Sequence, residues 1–310
     1  MANFTSQDVM KLREQTGVGM MDCKKALVQT DGNFEEAVKY LREKGMASAA
    51  KKASRVAAEG LVKCVVSDDK KVAVAVEVNC ETDFVARSDQ FIALIGNIAN
   101  HLLQSNATTV EEVLAENYYA DPSKTLSVLV AEATASIGEK ISLRRFTKYV
   151  QNANGLIASY IHMGGSIGVL CQISCDKVDG AVAELAQNVC MQIAASKPQV
   201  ISIADVDASQ LDSEREILTA QAKNEGKPEA VIAKMVEGRI HKYYKEVCLL
   251  EQEYVRDSAL SVKQVIADVE KSVGCKIAVD RFVRYEMGEG IEKRVDNFAE
   301  EIAAQLKGIQ

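Results

Sequence analysis

Residues 72–80 read VAVAVEVNC, and the valines at 72, 74, 76 and 78 alternate with alanine and glutamate. This alternation of apolar side chains is typical of a β-strand with one buried face. The pattern recurs 95 residues later, where residues 167–175 read IGVLCQISC and Cys175 takes the place of Cys80. A segment repeated at a fixed spacing indicates that the chain contains a duplicated unit.

A second pair of segments extends the duplication to the end of each unit. Residues 136–149 read SIGEKISLRRFTKY and residues 272–285 read SVGCKIAVDRFVRY, so the spacing grows from 95 to 136 residues. The second copy therefore contains 41 additional residues. The copies also match where they begin, because Gly60-Leu61-Val62 corresponds to Gly155-Leu156-Ile157.

Each copy predicts the same order of elements, a β-hairpin followed by a helix and a final strand. We place the two hairpin turns at residues 67–70 and 163–166. The long helix of each copy has apolar residues at helical spacing: Phe91, Leu94, Ile95, Ile98 and Leu102 in the first, and Val182, Leu185, Val189 and Ile193 in the second. The predicted class is α+β, with two half-buried units packed into one pseudo-twofold core.

The additional residues of the second copy lie between about Pro198 and Asp257 and predict an inserted helical hairpin. One helix is expected over 212–224 and another over 228–250, with a hinge at 225–228. Such an arm either buries its apolar stripe against a second copy or a partner, or is only an extended loop. The sequence leaves both alternatives open.

The first 55 residues predict a small module of three short helices. Thr5 or Ser6 begins the first helix, the run Thr16-Gly17-Val18-Gly19 ends it, and Asn33 caps the third. The side chains expected to face the interior are Met20, Cys23, Leu27, Phe34, Ala37, Val38 and Leu41. Residues 39–55 carry six basic residues against one acid and are expected to form a helix end and a linker, which either binds an anionic partner or is a solvated face.

Composition limits the class of protein. The 310 residues are 47% hydrophobic and 26% charged, which describes a globular protein of two or three modules. A formal net charge of −7 disfavours direct binding to a nucleic-acid backbone. No segment approaches the roughly 20 apolar residues that cross a bilayer. The eight cysteines lack the dense spacing of a disulfide scaffold and are interpreted as reduced thiols in a cytosol.

Standard catalytic signatures are missing from the sequence, including the P-loop, the GxSxG elbow and HExxH. The run GGSIG at 164–168 joins two predicted antiparallel strands, so we interpret it as a hairpin turn and not as a dinucleotide loop. Cys171 and Cys175 lack further ligands at zinc spacing, and the three histidines are far apart in sequence. We expect no cofactor. A thiol- or histidine-dependent enzyme that uses Cys171, Cys175 or His162 remains the alternative.

One segment departs from the alternation that precedes it. After residue 78 the second strand continues as NCETDFVARS over 79–88, before a helix expected from Asp89. Phe84 either plugs the core or is an apolar anchor presented to a partner, with a charge beside it. The second copy has DKVD at 176–179 instead, so the duplication retained the scaffold and left this tip unique to the first copy. That difference favours a functional interpretation.

Three motifs together resemble the signatures of the elongation factor Ts family. Residues 12–27, LREQTGVGMMDCKKAL, resemble its opening signature, and residues 77–86, EVNCETDFVA, resemble its second. Residues 288–293, GEGIEK, resemble its C-terminal signature. The similarity runs through AASKP at 194–198 and along the whole chain.

The resemblance implies an architecture of four parts. These are a three-helix, UBA-like module over 1–55, a first core repeat over 56–150, a second repeat over 151–293 with a coiled-coil insertion at about 205–252, and a C-terminal helical module over 294–310.

The resemblance also implies a guanine-nucleotide exchange factor, not an enzyme of covalent chemistry. It would bind elongation factor Tu, GDP-bound and nucleotide-free, and speed GDP release during translation elongation. Thr82, Asp83, Phe84 and Val85 match the family segment that helps dislodge magnesium from the partner, and the matched partner contacts are Arg13, Met20, Met21 and His162. Ser166 stands where the family usually has arginine, so a contact through that guanidinium does not carry over.

The expected location is the cytoplasm of a bacterium, because the first helix begins at once, without an Arg-rich leader. Neither a membrane nor a nucleic acid is an expected partner. A homodimer and a 2:2 complex with elongation factor Tu stay open, as does an interaction scaffold without exchange activity.

Overall fold

The computed structural model describes residues 3–226 and 228–292. Helices and small antiparallel sheets alternate along the chain, which confirms the α+β class. The helical module expected over 294–310 lies outside the described residues.

Three helices open the chain, α1 (Ser6–Thr16), α2 (Met20–Gln29) and α3 (Phe34–Lys52). Thr5 caps α1 in a capping box with Asp8, and Gly17 ends the helix in the left-handed conformation at φ 68°. The shared interior consists of Val9, Leu12, Cys23, Ala26, Leu27, Ala37 and Leu41. Met20 was expected in this interior but is 38% exposed, because it begins α2 at the rim of the module.

The first repeat contains five strands and four helices. In order these are β1 (Glu59–Val66), β2 (Val72–Cys80), α4 (Asp83–Ala86), α5 (Asp89–Gln104), α6 (Val110–Ala115), β3 (Asn117–Tyr118), β4 (Asp121–Thr125), α7 (Leu126–Ile137) and β5 (Ser142–Val150).

The second repeat follows the same plan. Its elements are β6 (Gly155–His162), β7 (Ile167–Cys175), α8 (Gly180–Ser196), α9 (Ala208–Asn224), α10 (Glu229–Val247), β8 (Glu253–Tyr254), β9 (Asp257–Ser261), α11 (Val262–Val273) and β10 (Ile277–Glu286). The short hairpins β3–β4 and β8–β9 were not predicted, and they occupy equivalent places in the two repeats.

The two repeated segments form the central strands of two three-stranded antiparallel sheets. The strand order is β1-β2-β5 in the first sheet and β6-β7-β10 in the second. Three valines of β2, at 74, 76 and 78, face the helices of the first repeat, in a cluster with Phe91, Ile95 and Ile98. The opposite face of β2 is also buried, because Ala73 and Ala75 pack against Ile157 and Leu170 of the second sheet. Small side chains on that face let the sheets approach each other.

Two cation–π contacts confirm that the repeats pack with pseudo-twofold symmetry. The guanidinium of Arg145 lies 4.2 Å from the ring centroid of Tyr285, and that of Arg281 lies 4.2 Å from the ring centroid of Tyr149. Arg281 and Tyr285 are the second-copy counterparts of Arg145 and Tyr149. Each repeat therefore places its arginine on the tyrosine of the other, an arrangement worth about 1 kcal/mol per pair.

Helix α3 is longer than expected and docks on the first repeat. Residues 39–52 are helical, and the second half of α3 packs on α7 because Gly45 faces Ala135 and Ala131. Arg42 donates to the carboxylate of Glu132 at 3.1 Å. Residues 39–55 were expected to form a helix end and a linker, and the helix extends through most of that segment, to Lys52.

The inserted hairpin consists of α9 and α10, as predicted, but its boundaries differ. Asp207 caps α9 through hydrogen bonds from the N–H groups of Ser209 and Gln210, so the helix begins earlier than expected. Helix α10 ends at Val247. The backbone carbonyl of Val247 accepts from the N–H of Gln199, so the end of the arm is joined to the segment that follows α8. The arm has its own apolar cluster, formed by Leu218, Ala222, Ile232, Val236 and Ile240.

Candidate functional site

The unique tip of the first repeat forms one turn of helix directly after β2. Thr82 caps this turn, α4, and its hydroxyl oxygen accepts from the N–H of Val85 at 3.4 Å. Asp83 makes an ion pair with Arg87 at 3.2 Å across the turn. The turn ends where Ser88 caps the long helix α5, so the tip lies between two rigid elements.

The side chains of the tip point in different directions. Phe84 is 84% exposed, the highest value among the large hydrophobic side chains of the described residues. Val85 packs against the core of the first repeat and Ala86 is buried. The interpretation of Phe84 as a core plug was therefore wrong. An aromatic ring held in water by a short rigid helix is a candidate anchor for a partner protein.

Glu139 holds the backbone that leads into this turn. One of its carboxylate oxygens accepts from the N–H groups of Glu81 and Thr82, both at 3.0 Å, and the other accepts from the Thr82 hydroxyl at 2.6 Å. Glu81 in turn accepts from the N–H of Lys140 at 2.7 Å. Sequence reasoning missed Glu139. The available signal was the difference between Glu139 and its second-copy counterpart Cys275.

The strand behind the tip carries a buried carboxylate. Glu77 is fully buried on β2 and accepts from Arg144 at 2.9 Å, from Arg145 at 2.6 Å and from the N–H of Gly288 at 2.8 Å. Burial by itself raises the pKa of Glu77, but the hydrogen bonds from Gly288, Arg145 and Arg144 outweigh it and lower the pKa below its ordinary value. Glu77 is therefore ionised at neutral pH.

The predicted contacts in the N-terminal module lie on its surface. Arg13 is exposed near the end of α1, and Met21 is 64% exposed beside the less exposed Met20. Gly17, in the turn between α1 and α2, lies next to Gln90 at the start of α5, the helix that follows the tip. A groove of about 440 Å³ separates the module from the first repeat at this point.

His162 ends β6, on the turn between the first two strands of the second sheet. It is exposed, and its Nδ1 lies 3.1 Å from the hydroxyl of Tyr160. The neighbouring Met163 is 74% exposed and was not singled out from the sequence. Ser166 closes the turn, because its hydroxyl donates to the carbonyl of Met163 at 3.1 Å. The 163–166 turn was predicted correctly.

The predicted residues thus occupy three surface features and not one enclosed cleft. These are the tip around Phe84, the exposed side of α1 and α2, and the turn after β6. Within the described ranges, no group of three or more His, Cys, Asp or Glu side chains is arranged to hold a metal ion. Separate surface features of this kind suit contact with a large partner.

The thiols are poor candidates for nucleophiles. All eight cysteines are free, and Cys171 and Cys175 are buried in the second repeat, as expected of core thiols. Burial raises the pKa of Cys175, and it raises the pKa of Cys64 and Cys80 to about 12. A thiol that acts as a nucleophile at neutral pH needs a lowered pKa, whereas the pKa of Cys64, Cys80 and Cys175 is raised. His162 is exposed at the end of β6 opposite Ile167, whereas Cys171 lies opposite Ala158, four residues earlier on that strand.

Comparison with known proteins decides the family. The sequence profile described as "Elongation factor TS" matches residues 81–289. The chain is 52% identical over 300 residues to elongation factor Ts of Clostridium perfringens strain SM101, which covers 97% of this chain and 98% of the relative. It is also 53% identical over 304 residues to elongation factor Ts of Clostridium acetobutylicum, covering 98% and 99%.

The chain belongs to the elongation factor Ts family. The resemblance that the three motifs indicated is therefore confirmed, and the chain is a translation elongation factor of protein biosynthesis. The family profile begins at Glu81, within the tip, and ends at Glu289, beside the network of Glu77. Among the described helices, none has both the length and the apolar character needed to cross a membrane.

Proposed function

We propose that this protein is the guanine-nucleotide exchange factor of elongation factor Tu. It binds the GDP-bound partner, promotes GDP release and holds the nucleotide-free state during translation elongation. Family membership supports the partner and the process. The exposed Phe84 on a capped turn is the single observation that carries the mechanism, because an aromatic side chain presented in this way can fill a pocket of the partner as an anchor.

The proposed mechanism is mechanical, with no covalent step and no cofactor. Phe84 enters an apolar recess of the partner beside its nucleotide, and Asp83 brings a negative charge with it. Magnesium requires near-ideal octahedral coordination, so a small displacement of the partner's elements that hold it weakens the partner's binding of the GDP phosphates. Thr82 and Val85 belong to the same device as the cap and the core anchor of the turn.

Linkage fixes the thermodynamics of this exchange. If the protein lowers the affinity of the partner for GDP by some factor, GDP must lower the affinity of the partner for the protein by the same factor. Binding to the nucleotide-free partner is therefore the tighter of the two. GDP release is faster because the protein binds its partner more tightly as the nucleotide leaves.

Two further surfaces complete the proposed interface. Arg13, Met20 and Met21 give the N-terminal module an exposed apolar and basic face, since methionine adapts to irregular partner surfaces. His162 contacts the partner with its exposed neighbour Met163, and Ser166 supplies no guanidinium. We assign residues 1–55, 56–150, 151–293 and 294–310 to the four parts of the factor. A homodimer or a 2:2 assembly is compatible with this division.

The test is stopped-flow release of a fluorescent GDP analogue from magnesium-loaded elongation factor Tu. The protein is added at substoichiometric amounts, with excess unlabelled GDP as a trap. We expect release to accelerate strongly and each molecule to act many times. Unchanged release, from a partner that still loses its nucleotide when magnesium is chelated, would contradict the proposal.

A further inference from the structure

We propose that Glu139 is the positioning residue that aims Phe84 at the partner. This inference rests on the proposed function and adds a residue that neither the motifs nor the family match single out.

Phe84 cannot fix its own direction, because its exposed ring lacks a packed surface around it. Its orientation depends on the backbone of the short turn α4. That backbone begins at Glu81 and Thr82, whose N–H groups both donate to one oxygen of Glu139 at 3.0 Å. Charge-assisted hydrogen bonds of this kind are about twice as strong as neutral ones.

The second oxygen of Glu139 sets the cap of the turn. It accepts a hydrogen bond from the Thr82 hydroxyl at 2.6 Å. Because the hydroxyl hydrogen then points to Glu139, the lone pairs of the hydroxyl oxygen are free to accept from the N–H of Val85. The cap fixes where α4 starts, and α4 carries Phe84 as its second residue. One carboxylate therefore controls both the entry of the chain into the turn and the first hydrogen bond within it.

Glu139 is itself held by rigid structure. It follows Gly138, which ends α7 in the left-handed conformation with its N–H bonded to Thr134. The hydroxyl of Thr134 accepts from the N–H of Ile141 at 3.2 Å, so the residues on both sides of Glu139 are tied to α7. Helix α7 in turn packs against α3 of the N-terminal module. The clamp, which is the set of hydrogen bonds from Glu81 and Thr82 to Glu139, is therefore supported by a helix and not by a flexible loop.

The second repeat provides an internal comparison. Cys275 stands at the position of Glu139, and its Sγ lies 3.1 Å from the Sγ of Cys175 and 4.0 Å from the carbonyl of Lys177. A thiol cannot accept from two backbone N–H groups as a carboxylate does. In that repeat Asp179 caps the long helix directly, without a preceding turn like α4. Clamp and presented aromatic ring therefore occur together in one copy and are both missing from the other.

The experiment is a double-mutant cycle on stimulated GDP release, with Glu139→Gln, Phe84→Ala and the combined variant. Glutamine keeps the size of the side chain but has only one acceptor oxygen. We expect Glu139→Gln to lower the maximal rate about tenfold, because Phe84 is then displaced from the position in which it acts on the partner, with little change in the KM for the GDP-bound partner. On the Phe84→Ala background the same substitution should cause no further loss.

Glu112 provides the matched control. Its Oε2 accepts from the N–H groups of Thr108 and Thr109 and from the Thr108 hydroxyl at 2.8–3.2 Å, a similar set of donors at the start of α6 but gathered on one oxygen. Glu112→Gln should leave the exchange rate at the wild-type value. Equal losses in the Glu112 and Glu139 variants, or additive losses in the cycle, would show a merely structural role and overturn the proposal.

A second measurement needs no partner and separates failure of the clamp from failure of the proposed function. The chain contains no tryptophan, so Phe84→Trp introduces a single reporter at the tip. We expect Glu139→Gln to increase the amplitude of fast depolarisation of this reporter, and Glu139→Asp, which keeps the charge, to do so less. Unchanged depolarisation in a Glu139→Gln protein with wild-type circular dichroism would contradict the clamp, whatever the exchange assay gives.

Discussion

The carboxylate of Glu77 accepts a hydrogen bond at 2.8 Å from the N–H of Gly288, 211 residues further along the chain. Glu77 lies on β2, the strand that leads into the tip, whereas Gly288 follows the last strand of the second repeat. Arg144 and Arg145 bind the same carboxylate from β5. A single buried charge thus ties the tip-bearing strand to the far end of the other repeat.

We expect Glu77→Gln to destabilise the protein by about 3 kcal/mol, because it leaves two arginines partly buried without their carboxylate. Chemical denaturation monitored by circular dichroism measures this loss. Glu132→Gln is the control, since Glu132 pairs with Arg42 and Lys124 nearer the surface and should cost less than about 1 kcal/mol. Equal losses of folding free energy in the two variants would contradict the larger stabilisation that we assign to the buried Glu77.

The same residue predicts a pH dependence. The pKa of Glu77 is lowered in the folded protein, so the stability that it contributes is present above the ordinary range of glutamate, about 4.3, and is lost as the pH falls through the folded value. Wild type should therefore lose more stability than Glu77→Gln between pH 6 and acid pH. Parallel stability curves for the two proteins would refute this assignment.

Two glycines at equivalent positions of the repeats predict a large loss of folding free energy on substitution by alanine. Gly60 and Gly155 have φ values of 142° and 134°, and a Cβ added to them would lie 2.2 Å from the carbonyl oxygen of Val78 and 2.0 Å from that of Ile173. Gly60→Ala and Gly155→Ala should each cost about 2–4 kcal/mol of folding free energy. Gly96→Ala, in an open position of α5, should instead stabilise by about 0.5–1 kcal/mol. Thermal unfolding distinguishes these outcomes, and tolerance of alanine at either paired position would contradict the model of close strand approach.

The contact between α3 and α7 predicts opposite effects of two substitutions at one site. At Gly45 an added Cβ lies 3.4 Å from that of Ala135, an ordinary contact, so Gly45→Ala should stabilise the helix by about 0.5–1 kcal/mol. Gly45→Leu has no room and should separate the helices. Hydrogen exchange of α3 after residue 45 should then accelerate while β2 stays protected. Retained protection of α3 in the leucine variant would contradict the docking.

The thiol pair of the second repeat predicts one disulfide under mild oxidation. The Sγ atoms of Cys175 and Cys275 lie 3.1 Å apart, and Cys275 is only half-buried, so diamide can take up the two electrons and two protons that the thiols lose. Peptide mapping should find a Cys175–Cys275 link, absent from Cys275→Ser. A first link between any other pair would be contrary to this expectation.

The sequence predicted those features whose signal is local or repeated. The alternation of β2 and β7, the turn at 163–166 and a helix start at Thr5 or Ser6 depend on neighbouring residues, and the structure contains all three, with Thr5 as the cap. The duplication supported the predicted order of a hairpin, a helix and a final strand, because the same pattern occurs in both copies. The uniqueness of the segment around Phe84 likewise made it a candidate before its exposure was known.

The rest depends on contacts between distant residues. Glu139 and Thr82 are 57 positions apart in the sequence, and no local motif at either residue predicts the hydrogen bond between them. The length of α3 within residues 39–55 was not predicted, because its contact with α7 uses glycine and alanine instead of large apolar side chains. The hairpins β3–β4 and β8–β9 are too short for any periodicity. Phe84 remained ambiguous because an aromatic residue after a strand suits a core as well as a surface.

The most direct test of the central claim is stopped-flow GDP release from elongation factor Tu stimulated by Phe84→Ala, compared with Val178→Ala. Val178 is the exposed apolar residue at the corresponding end of the second repeat. Both exposed sites should change the folding free energy by less than about 0.5 kcal/mol. The tip mechanism predicts that Phe84→Ala loses at least about tenfold in stimulated release while Val178→Ala matches wild type. Full stimulation by a folded Phe84→Ala protein would contradict it.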